Sequence, residues 1–309
     1  MAVTNYTIII PHKNIPDLLR RCVDSIPYRD DIQIIIVDDN SDHSIVDFAR
    51  FPELDHPNTE VYFTKEGKGA GYARNIGLEH AKGKWLVFAD ADDFFTDNAF
   101  DYLVAQVDSP YEIIYFKVTG CYSDTYQQEN RGTFYNQLVD DYTNKYKDFD
   151  NHIRYQYIVP WGKMVRRELV EREKIRFEEV IAGNNLMFSI RTGYYASSVG
   201  VCNQEIYCST IRKGNLSHTL HRDILTSKYL AQLHCNEFFR KHNKHHYQGS
   251  IMYYIFSSCK YGIGTFFQFV QWAFVYKSNL FRGINRWFFT YISMKRKQRK
   301  NKKYFVINY

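Results

Sequence analysis

Three aspartates, Asp90, Asp92 and Asp93, follow directly on the apolar run Trp-Leu-Val-Phe-Ala at residues 85–89. The run has the length of one buried strand. A parallel sheet presents its ligands beyond the carboxyl ends of its strands, so these acids are expected at the mouth of a crevice. Closely spaced carboxylates favour Mg²⁺ or Mn²⁺, which take further ligands from the phosphates of a substrate. The alternative is an acidic helix N-terminus, which aspartate also favours.

The segments before this strand alternate between strand and helix patterns. Residues 6–10 and 32–37 are β-branched runs typical of buried strands, and residues 61–63 indicate another strand. The second run ends in Asp38 and Asp39, just as the later one ends in Asp90. Strands and helices alternating at this spacing predict an α/β fold around a parallel sheet with both faces covered.

A glycine-rich loop, Gly67-Lys-Gly-Ala-Gly71, precedes the helix pattern of residues 72–81. It does not follow the first strand, and Arg74 stands where a dinucleotide-binding fingerprint needs its last glycine. It is not a P-loop either, because the lysine and hydroxyl spacing is absent. Its backbone can approach a ligand closely beside Lys68 and Arg74, which favours a diphosphate. The alternative is a flexible turn with solvated basic side chains.

The charge of the chain is unevenly distributed. Its 309 residues carry a net charge of +6, yet ten basic and no acidic residues lie from residue 277 onward. The remainder is slightly acidic, which argues against a general nucleic-acid-binding protein. The six cysteines show no zinc spacing and are interpreted as reduced thiols of a cytoplasmic chain. No apolar run has the length of a signal segment or a spanning helix.

Four motifs together are more specific than any one of them. They are Pro11-x-x-Asn14, Ile-Ile-Val-Asp-Asp-Asn-Ser-Asp at residues 35–42, Gly71-x-Ala-Arg-Asn-x-Gly-Leu78 and Phe88-x-Asp-x-Asp-Asp93. In this order and spacing they resemble the nucleotide-sugar half of the family 2 glycosyltransferases, especially bacterial members that build capsular polysaccharide, lipopolysaccharide or exopolysaccharide. The resemblance implies a Rossmann-like GT-A fold with a mainly parallel central sheet, here followed by a C-terminal helical extension.

The resemblance implies roles in a nucleoside pocket. Asp39 would accept a hydrogen bond from the base of the donor nucleotide, most often uracil. Pro11 to Lys13 would line the pocket, although family members usually have an aromatic residue where Lys13 stands. Asp90 would face the ribose.

It also implies a phosphate and metal site. Arg74 would contact the nucleotide or its diphosphate, next to Lys68 of the glycine loop. Asp92 would bind the divalent cation, Mn²⁺ or Mg²⁺, that bridges the two phosphates. The metal is needed because charge develops on the leaving nucleoside diphosphate. The family further implies a single displacement that inverts the anomeric centre.

The family's candidate general base is an aspartate just before an apolar helix, and this chain has Asn185 at that position. An amide cannot take a proton at neutral pH, and loss of a base typically lowers the rate by about 10²–10⁴-fold. Three interpretations are open: a substitution that traps a substrate complex, replacement of the base by Glu178 or Glu179, or a protein that binds donor and transfers poorly.

Trp161 begins a Trp-x-Lys element that resembles the acceptor side of the family. A buried tryptophan is more often part of the core. An accessible indole face would instead suit the apolar surface of an acceptor sugar. Both interpretations are kept.

The chain is predicted to have three parts. Residues 1–110 form the nucleotide-sugar half, residues 111–220 the acceptor half, and residues 221–309 a helical, aromatic and basic region. Amphipathic aromatic helices beside a polybasic run suit an anionic membrane surface. The alternative is a helix pair packed on the core with a disordered tail. The predicted location is cytoplasmic and peripheral, on the inner face of the cell membrane.

The predicted function is metal-dependent transfer of a sugar from a nucleotide-diphosphate sugar, UDP-linked, to a saccharide or lipid-linked saccharide hydroxyl in cell-surface polysaccharide biosynthesis. One alternative is a catalytically impaired donor-binding or scaffold protein, motivated by Asn185. Another is a sugar nucleotidyltransferase, a class that needs a glycine-rich basic loop where this chain has residues 11–14.

Overall fold

The computed structural model describes residues 3–51, 58–212 and 221–282. The chain divides into two compact units, Met1–Thr219 and Leu220–Tyr309. The strands of the predicted donor and acceptor halves share a single sheet within the first unit.

The sheet of the first unit has eight strands among the described residues. In chain order they are β1 (Tyr6–His12), β2 (Ile32–Asp38), β3 (Thr59–Phe63), β4 (Trp85–Phe88), β5 (Phe94–Phe95), β6 (Ile113–Tyr122), β7 (Lys163–Arg166) and β8 (Val199–Ile211). Their order across the sheet is β3-β2-β1-β4-β7-β6-β8-β5.

The first half of the sheet is parallel. Strand β1 pairs with β2 on one side and β4 on the other, and β2 pairs with β3. In this register His12 lies opposite Asp38, which lies opposite Phe63. The carboxyl ends of four neighbouring strands therefore meet along one edge, as the positions of Asp39 and Asp90 in the sequence predict.

The second half of the sheet is more mixed than the predicted, mainly parallel arrangement. Strand β7 is antiparallel to both β4 and β6, and β5 is antiparallel to β8. Strands β6 and β8 run parallel over ten paired positions, with a register shift around Lys117. This arrangement brings the end of β8 beside the segment that follows β4.

Helices cover both faces of the sheet. They are α1 (Pro16–Asp24), α2 (Ala70–His80), α3 (Ala99–Val104), α4 (Thr133–Thr143), α5 (Phe149–Gln156), α6 (Arg167–Arg172) and α7 (Asn185–Tyr195). Alternate residues of β4 enter different cores: Trp85 and Val87 join one cluster, whereas Leu86 and Phe88 join the other. Burial on both faces explains why the strand is continuously apolar.

The second unit is helical where it is described. It contains α8 (Arg222–Lys241), α9 (Met252–Ser258) and α10 (Ile263–Val275). Tyr229 and Phe269 stack at its centre, with ring centroids 4.5 Å apart. Among the described residues, no helix combines the length and the apolar character needed to cross a membrane. The polybasic run 295–303 lies outside the described residues.

Candidate active site

Asp39 lies at the carboxyl end of β2 with its side chain almost completely buried. Its Oδ2 accepts a hydrogen bond from the backbone N–H of Gly69 at 2.9 Å and lies 3.5 Å from Nζ of Lys13. Its Oδ1 is buried and has no hydrogen-bond partner among the described residues. Buried carboxylate oxygens are normally satisfied, so this atom points to a ligand that donates an N–H or O–H.

The preceding acid, Asp38, anchors this edge of the sheet. It accepts hydrogen bonds from Nδ1 of His12 at 2.7 Å and from both the N–H and the hydroxyl of Ser41. Burial raises the pKa of the Asp38 carboxyl, but the bonds from His12 and Ser41 outweigh burial and lower it. Asp38 is therefore a structural carboxylate that fixes the loop carrying Asp39.

Arg74, on the second turn of α2, is the centre of the site. It is only 3% exposed, and its Nη1 donates to the side-chain oxygens of Asn184 and Asn185, each at 3.0 Å. Its Nη2 pairs with the carboxylate of Asp90. One buried guanidinium thus joins the end of β4 to the start of α7.

The loop before α7 lies tightly against α2. A Cβ on Gly71 would meet the backbone oxygen of Glu178 at 2.2 Å, so only glycine permits this approach. Asn75 bonds both the carbonyl and the N–H of Phe177 and reaches Oε1 of Glu179 at 3.3 Å. These contacts hold the loop that carries Glu179 against α2, the helix that also carries Arg74, the partner of Asn185.

Asp93 holds the acidic segment, residues 90–93, in place through contacts with β8. It is buried, and it accepts hydrogen bonds from the hydroxyl of Tyr207 at 2.9 Å and the N–H of Thr210 at 2.6 Å. The Tyr207 hydroxyl also accepts the backbone N–H of Asp90 at 2.8 Å. Burial, followed by the neighbouring charges of Asp92 and Asp90, raises the pKa of Asp93 well above its usual value. Asp93 and β8 together fix the positions of Asp90 and Asp92.

Asp92 lies between two arginines. Its carboxylate accepts a hydrogen bond from Nε of Arg212 at 3.1 Å. Its backbone oxygen accepts hydrogen bonds from Arg21 and from the hydroxyl of Thr210. The Asp92 side chain is 20% exposed, so its carboxylate remains accessible from solvent.

The family of the chain follows from its sequence. Residues 7–173, more than half of the chain, match the family described as "Glycosyl transferase family 2". The chain belongs to this family. The predicted membership and enzyme class, a family 2 glycosyltransferase, are thereby confirmed. The matched region ends before Asn185, the position predicted for the base.

Two curated proteins that the chain resembles come from bacteria. The chain is 29% identical to "Glycosyltransferase GlyA" of Streptococcus pneumoniae serotype 4 over 243 residues, which are 74% of this chain and 33% of GlyA. It is 23% identical to "Putative glycosyltransferase EpsH" of Bacillus subtilis, over 79% of this chain and 71% of EpsH. The chain therefore spans about one third of GlyA and most of EpsH.

Solved structures share the fold. S. aureus TarS 1-349 in complex with UDP-GlcNAc superimposes with a TM-score of 0.57 at 16% identity, over 88% of this chain and 73% of that one. Mannosyltransferase PcManGT from Pyrobaculum calidifontis, in complex with GDP-Man and Mn²⁺, gives a TM-score of 0.52 at 17% identity, over 88% and 75%. The predicted GT-A fold is confirmed.

The acids of this family 2 enzyme fit a metal that arrives with its substrate. Among the described residues, no group of three or more His, Cys, Asp and Glu side chains is arranged to hold a metal ion. Mg²⁺ and Mn²⁺ sites at phosphates commonly use one or two carboxylates and complete their coordination with phosphate oxygens and water. Asp92, with Asp90 nearby in the chain, supplies such a donor set. Arg212 donates to Oδ2 of Asp92, so a metal held by this carboxylate would share it with Arg212 or replace that contact.

The other three predicted site residues are Pro11, Lys68 and Trp161. Pro11 is buried within β1. The ammonium of Lys68 lies over the ring of Tyr72, 4.5 Å from its centroid. Trp161 is 4% exposed, and its ring stacks on Tyr207 at 5.4 Å. The ring of Tyr135 packs edge-on against Trp161 at 5.3 Å, so the indole is part of the core, and stacking of Trp161 on an acceptor sugar stays a prediction.

Sequence reasoning missed several residues that hold the glycosyltransferase site together. Tyr207, Thr210 and Arg21 reach the acidic segment from positions far away in the chain. A tyrosine in a strand and an arginine on a surface-like helix carry no local signal of such a role. Only the pairing of β8 with β5 and β6 brings the first two of them to the site.

Proposed function

We propose that this glycosyltransferase moves a sugar from a UDP-sugar to a saccharide or lipid-linked saccharide hydroxyl in cell-surface polysaccharide biosynthesis. The observation that carries the proposal is the buried Arg74, which joins Asp90 on the donor side to Asn185 at the position of the acceptor-activating base. Support comes from two relatives named "Minor teichoic acid biosynthesis protein GgaB" and "Poly(ribitol-phosphate) beta-glucosyltransferase".

The donor is held in three parts. The nucleoside lies against Pro11 and Lys13, with its base on Asp39 and its ribose on Asp90. The diphosphate lies near Arg74 and the glycine loop with Lys68, where backbone N–H groups and positive charge favour it. Complexes of TarS with UDP-GlcNAc and UDP support a uridine donor.

Asp92 would hold a divalent cation, Mn²⁺ or Mg²⁺, beside the diphosphate, and that cation would supply Lewis-acid stabilisation of the leaving group. The Mn²⁺ in the PcManGT complex supports this assignment. Arg212 pairs with Asp92 and would add positive charge beside the diphosphate.

Inverting displacement needs a base that takes the proton of the acceptor hydroxyl. Asn185 cannot supply it, and its side-chain oxygen is already used by Arg74. Glu179, on the loop that leads into α7, is the carboxylate nearest to Asn185 in the sequence, and it is exposed. We assign it as the substitute base, so transfer is expected to be slow.

A second candidate is a donor-binding or scaffold protein with impaired catalysis, which the Asn185–Arg74 contact favours. A sugar nucleotidyltransferase is disfavoured because β1 runs directly into Lys13-Asn14 and is not followed by a glycine-rich basic loop.

The experiment is a panel of nucleotide sugars assayed for donor hydrolysis and transfer, with calorimetric titration of UDP with and without Mn²⁺. We expect Mn²⁺ to tighten UDP binding in the wild type and to have little effect in Asp92→Ala. If UDP affinity does not depend on Mn²⁺ and is unchanged in Asp92→Ala, the assignment of Asp92 as the metal ligand is wrong. Binding without any transfer or hydrolysis would support the donor-binding alternative.

We also propose that the second unit lies on the anionic inner face of the cell membrane. Helix α10 has no charged residue and leaves four apolar side chains 63–70% exposed: Ile263, Phe267, Phe274 and Val275. Apolar side chains beside a basic segment favour insertion at the interface of an anionic bilayer.

Vesicle flotation tests the membrane proposal. The full chain is expected to float with phosphatidylglycerol vesicles and not with phosphatidylcholine vesicles. Phe267→Asp combined with Phe274→Asp should abolish flotation, whereas Ile45→Asp, at an exposed apolar site of the first unit, should not. Equal flotation of both variants would refute the role of α10.

A further inference from the structure

The turn that follows β6 carries an exposed aromatic residue, Tyr126, close to the acidic segment. The turn is closed by the N–H of Tyr122, which donates to the carbonyl of Gln127 at 3.0 Å, and by the N–H of Tyr126, which donates to the carbonyl of Tyr122 at 2.9 Å. The N–H of Ser123 donates to the carbonyl of Ile211 at 2.9 Å, which fixes the turn to the end of β8. The sheet therefore sets the position of the turn.

Arg21 of α1 connects this turn to Asp92. Its Nη1 donates to the carbonyl and to the hydroxyl of Ser123, each at 3.1 Å, and its Nη2 donates to the backbone oxygen of Asp92. The same guanidinium lies over the rings of Tyr126 and Phe94, 5.8 Å and 5.2 Å from their centroids. Because hydrogen bonds hold the guanidinium in place, it fixes both rings next to the residue expected to hold the metal.

Tyr126 combines an unfavourable backbone conformation with a largely exposed side chain. Its φ is 56°, and the other described residues with positive φ are glycine, asparagine, aspartate or lysine. A bulky residue rarely adopts this conformation, and such strain is concentrated at ligand sites, where the surrounding structure imposes it. Tyr126 is 59% exposed although Arg21 lies over its ring. Core packing therefore does not account for a large ring at this position.

A fixed, accessible aromatic face beside polar groups suits a sugar. The C–H face of a sugar ring packs on the aromatic face, and the hydroxyls need hydrogen-bond donors and acceptors. Asp124 and Gln127, in the same turn, are exposed and supply a carboxylate and an amide. We propose that Tyr126 is the platform on which the acceptor saccharide stacks, held in position by Arg21 and Phe94. This inference deepens the proposed function and rests on it.

Two comparisons favour the acceptor saccharide as the occupant. Trp161, which the family resemblance suggests for this role, is 4% exposed and belongs to the core, whereas Tyr126 is accessible. The donor nucleotide is assigned to residues of β1, β2 and α2, whereas the turn is joined to β8 and α1. A ring on these other elements, next to Asp92, suits the second substrate, whose hydroxyl must meet the donor sugar near the diphosphate.

The experiment is saturation-transfer difference NMR of the full chain with UDP and Mg²⁺. The probes are the methyl β-glycosides of glucose, galactose and N-acetylglucosamine. Wild type should transfer saturation to the ring protons of at least one of them. Tyr126→Gly, which adopts the left-handed conformation without steric cost, should weaken that affinity about 3–10-fold, the effect of one aromatic contact. Tyr126→Phe keeps the ring and should bind like the wild type.

Tyr146→Ala is the matched control. Tyr146 lies between α4 and α5 and is 58% exposed, so this change removes a ring of nearly equal exposure elsewhere on the first unit. It should leave glycoside binding unchanged. Calorimetric titration should give the same UDP affinity for the wild type and all three variants, and thermal unfolding should show that Tyr126→Gly is folded.

Three results would overturn the inference: no saturation transfer to any of the glycosides, equal glycoside affinity in Tyr126→Gly and wild type, or an equal loss in Tyr146→Ala. If UDP binds and the glycosides do not, this inference fails and the proposed donor stands. If a glycoside binds through Tyr126 and UDP does not bind at all, the saccharide platform stands and the proposed donor fails.

Discussion

Nη1 of Arg74 donates a hydrogen bond to Oδ1 of Asn185 at 3.0 Å. The same guanidinium pairs with Asp90, so the position expected to hold a base is electrostatically linked to the donor side. Arg74 is buried and keeps both contacts away from solvent. A carboxylate at position 185 would form an ion pair with Arg74, which is geometrically possible without rearrangement of α7.

Asn185→Asp is expected to raise the rate of sugar transfer by at least tenfold. The new carboxylate can take a proton, which the amide cannot, and a positioned base contributes about 10²–10⁴-fold. Pairing with Arg74 lowers the pKa of the new carboxyl, so the gain should lie towards the lower end of this range. Steady-state transfer rates and UDP affinity are measured for both proteins.

Asn184→Asp is the matched control. Asn184 accepts a hydrogen bond from the same nitrogen of Arg74, also at 3.0 Å. The Asn184→Asp substitution therefore places the same negative charge next to the same guanidinium. It should not raise the rate. An equal response of the two variants, or no gain from Asn185→Asp, would remove position 185 from the mechanism.

Glu179→Gln should lower the residual transfer rate by about 10²-fold and leave UDP affinity unchanged, if Glu179 is the substitute base. The replacement keeps the hydrogen bond from Asn75, provided that the amide oxygen faces it, so the loop should stay in place. Glu168→Gln, at an exposed position of α6, serves as the control. Transfer rates that are indistinguishable for the two variants would rule out Glu179.

The donor edge of the sheet was predictable because its information is local. Asp39 and Asp90 each stand at the end of an apolar run, and a strand that ends in an acid at the carboxyl edge has a defined place in a parallel sheet. The glycine loop and Arg74 follow from the same short segment. The chain order of these motifs was enough to indicate both the fold and the family.

The support beneath the acids was not predictable in this way. Tyr207 and Thr210 are more than 110 positions from Asp93, and their strand joins the sheet by antiparallel and bulged pairing that has no local signature. The contact of Asn185 with Arg74 could not be predicted from the sequence either. Arg74 was expected to bind a nucleotide, and its contact with α7 appears only when the tertiary structure brings the segments together.

Tyr207→Phe should weaken Mn²⁺-dependent UDP binding and destabilise the fold by about 1–3 kcal/mol. The hydroxyl donates to Asp93 and accepts the N–H of Asp90, so its loss leaves two buried groups unsatisfied. Tyr115→Phe is the control, since that buried hydroxyl has no hydrogen-bond partner among the described residues. Thermal unfolding and UDP titration check both variants. Equal destabilisation by the two changes would contradict the supporting role of Tyr207.

Gly71→Ala should displace the loop before α7 and reduce donor binding. Its Cβ would lie 2.2 Å from the backbone oxygen of Glu178, a contact that neither backbone can relieve cheaply. Overpacking of this kind typically destabilises by about 1–3 kcal/mol. Gly264→Ala, in α10 with open space around the new Cβ, should be neutral or slightly stabilising. If Gly71→Ala has the same stability and the same UDP affinity as the wild type, the close approach at Gly71 is dispensable.

Lys163→Met should remove a pH dependence of stability between pH 7 and pH 8.5. Lys163 is fully buried beside Tyr157 and Ser189, and burial lowers its pKa from 10.5 to about 7. Between these two values the unfolded chain binds more protons at this site than the folded chain, so the lysine's contribution to stability rises with pH. The wild type should gain about 1.5 kcal/mol relative to the methionine variant from pH 7 to pH 8.5. Urea unfolding of both proteins at the two pH values measures this difference. Parallel pH profiles would mean that the amine stays protonated in the folded protein.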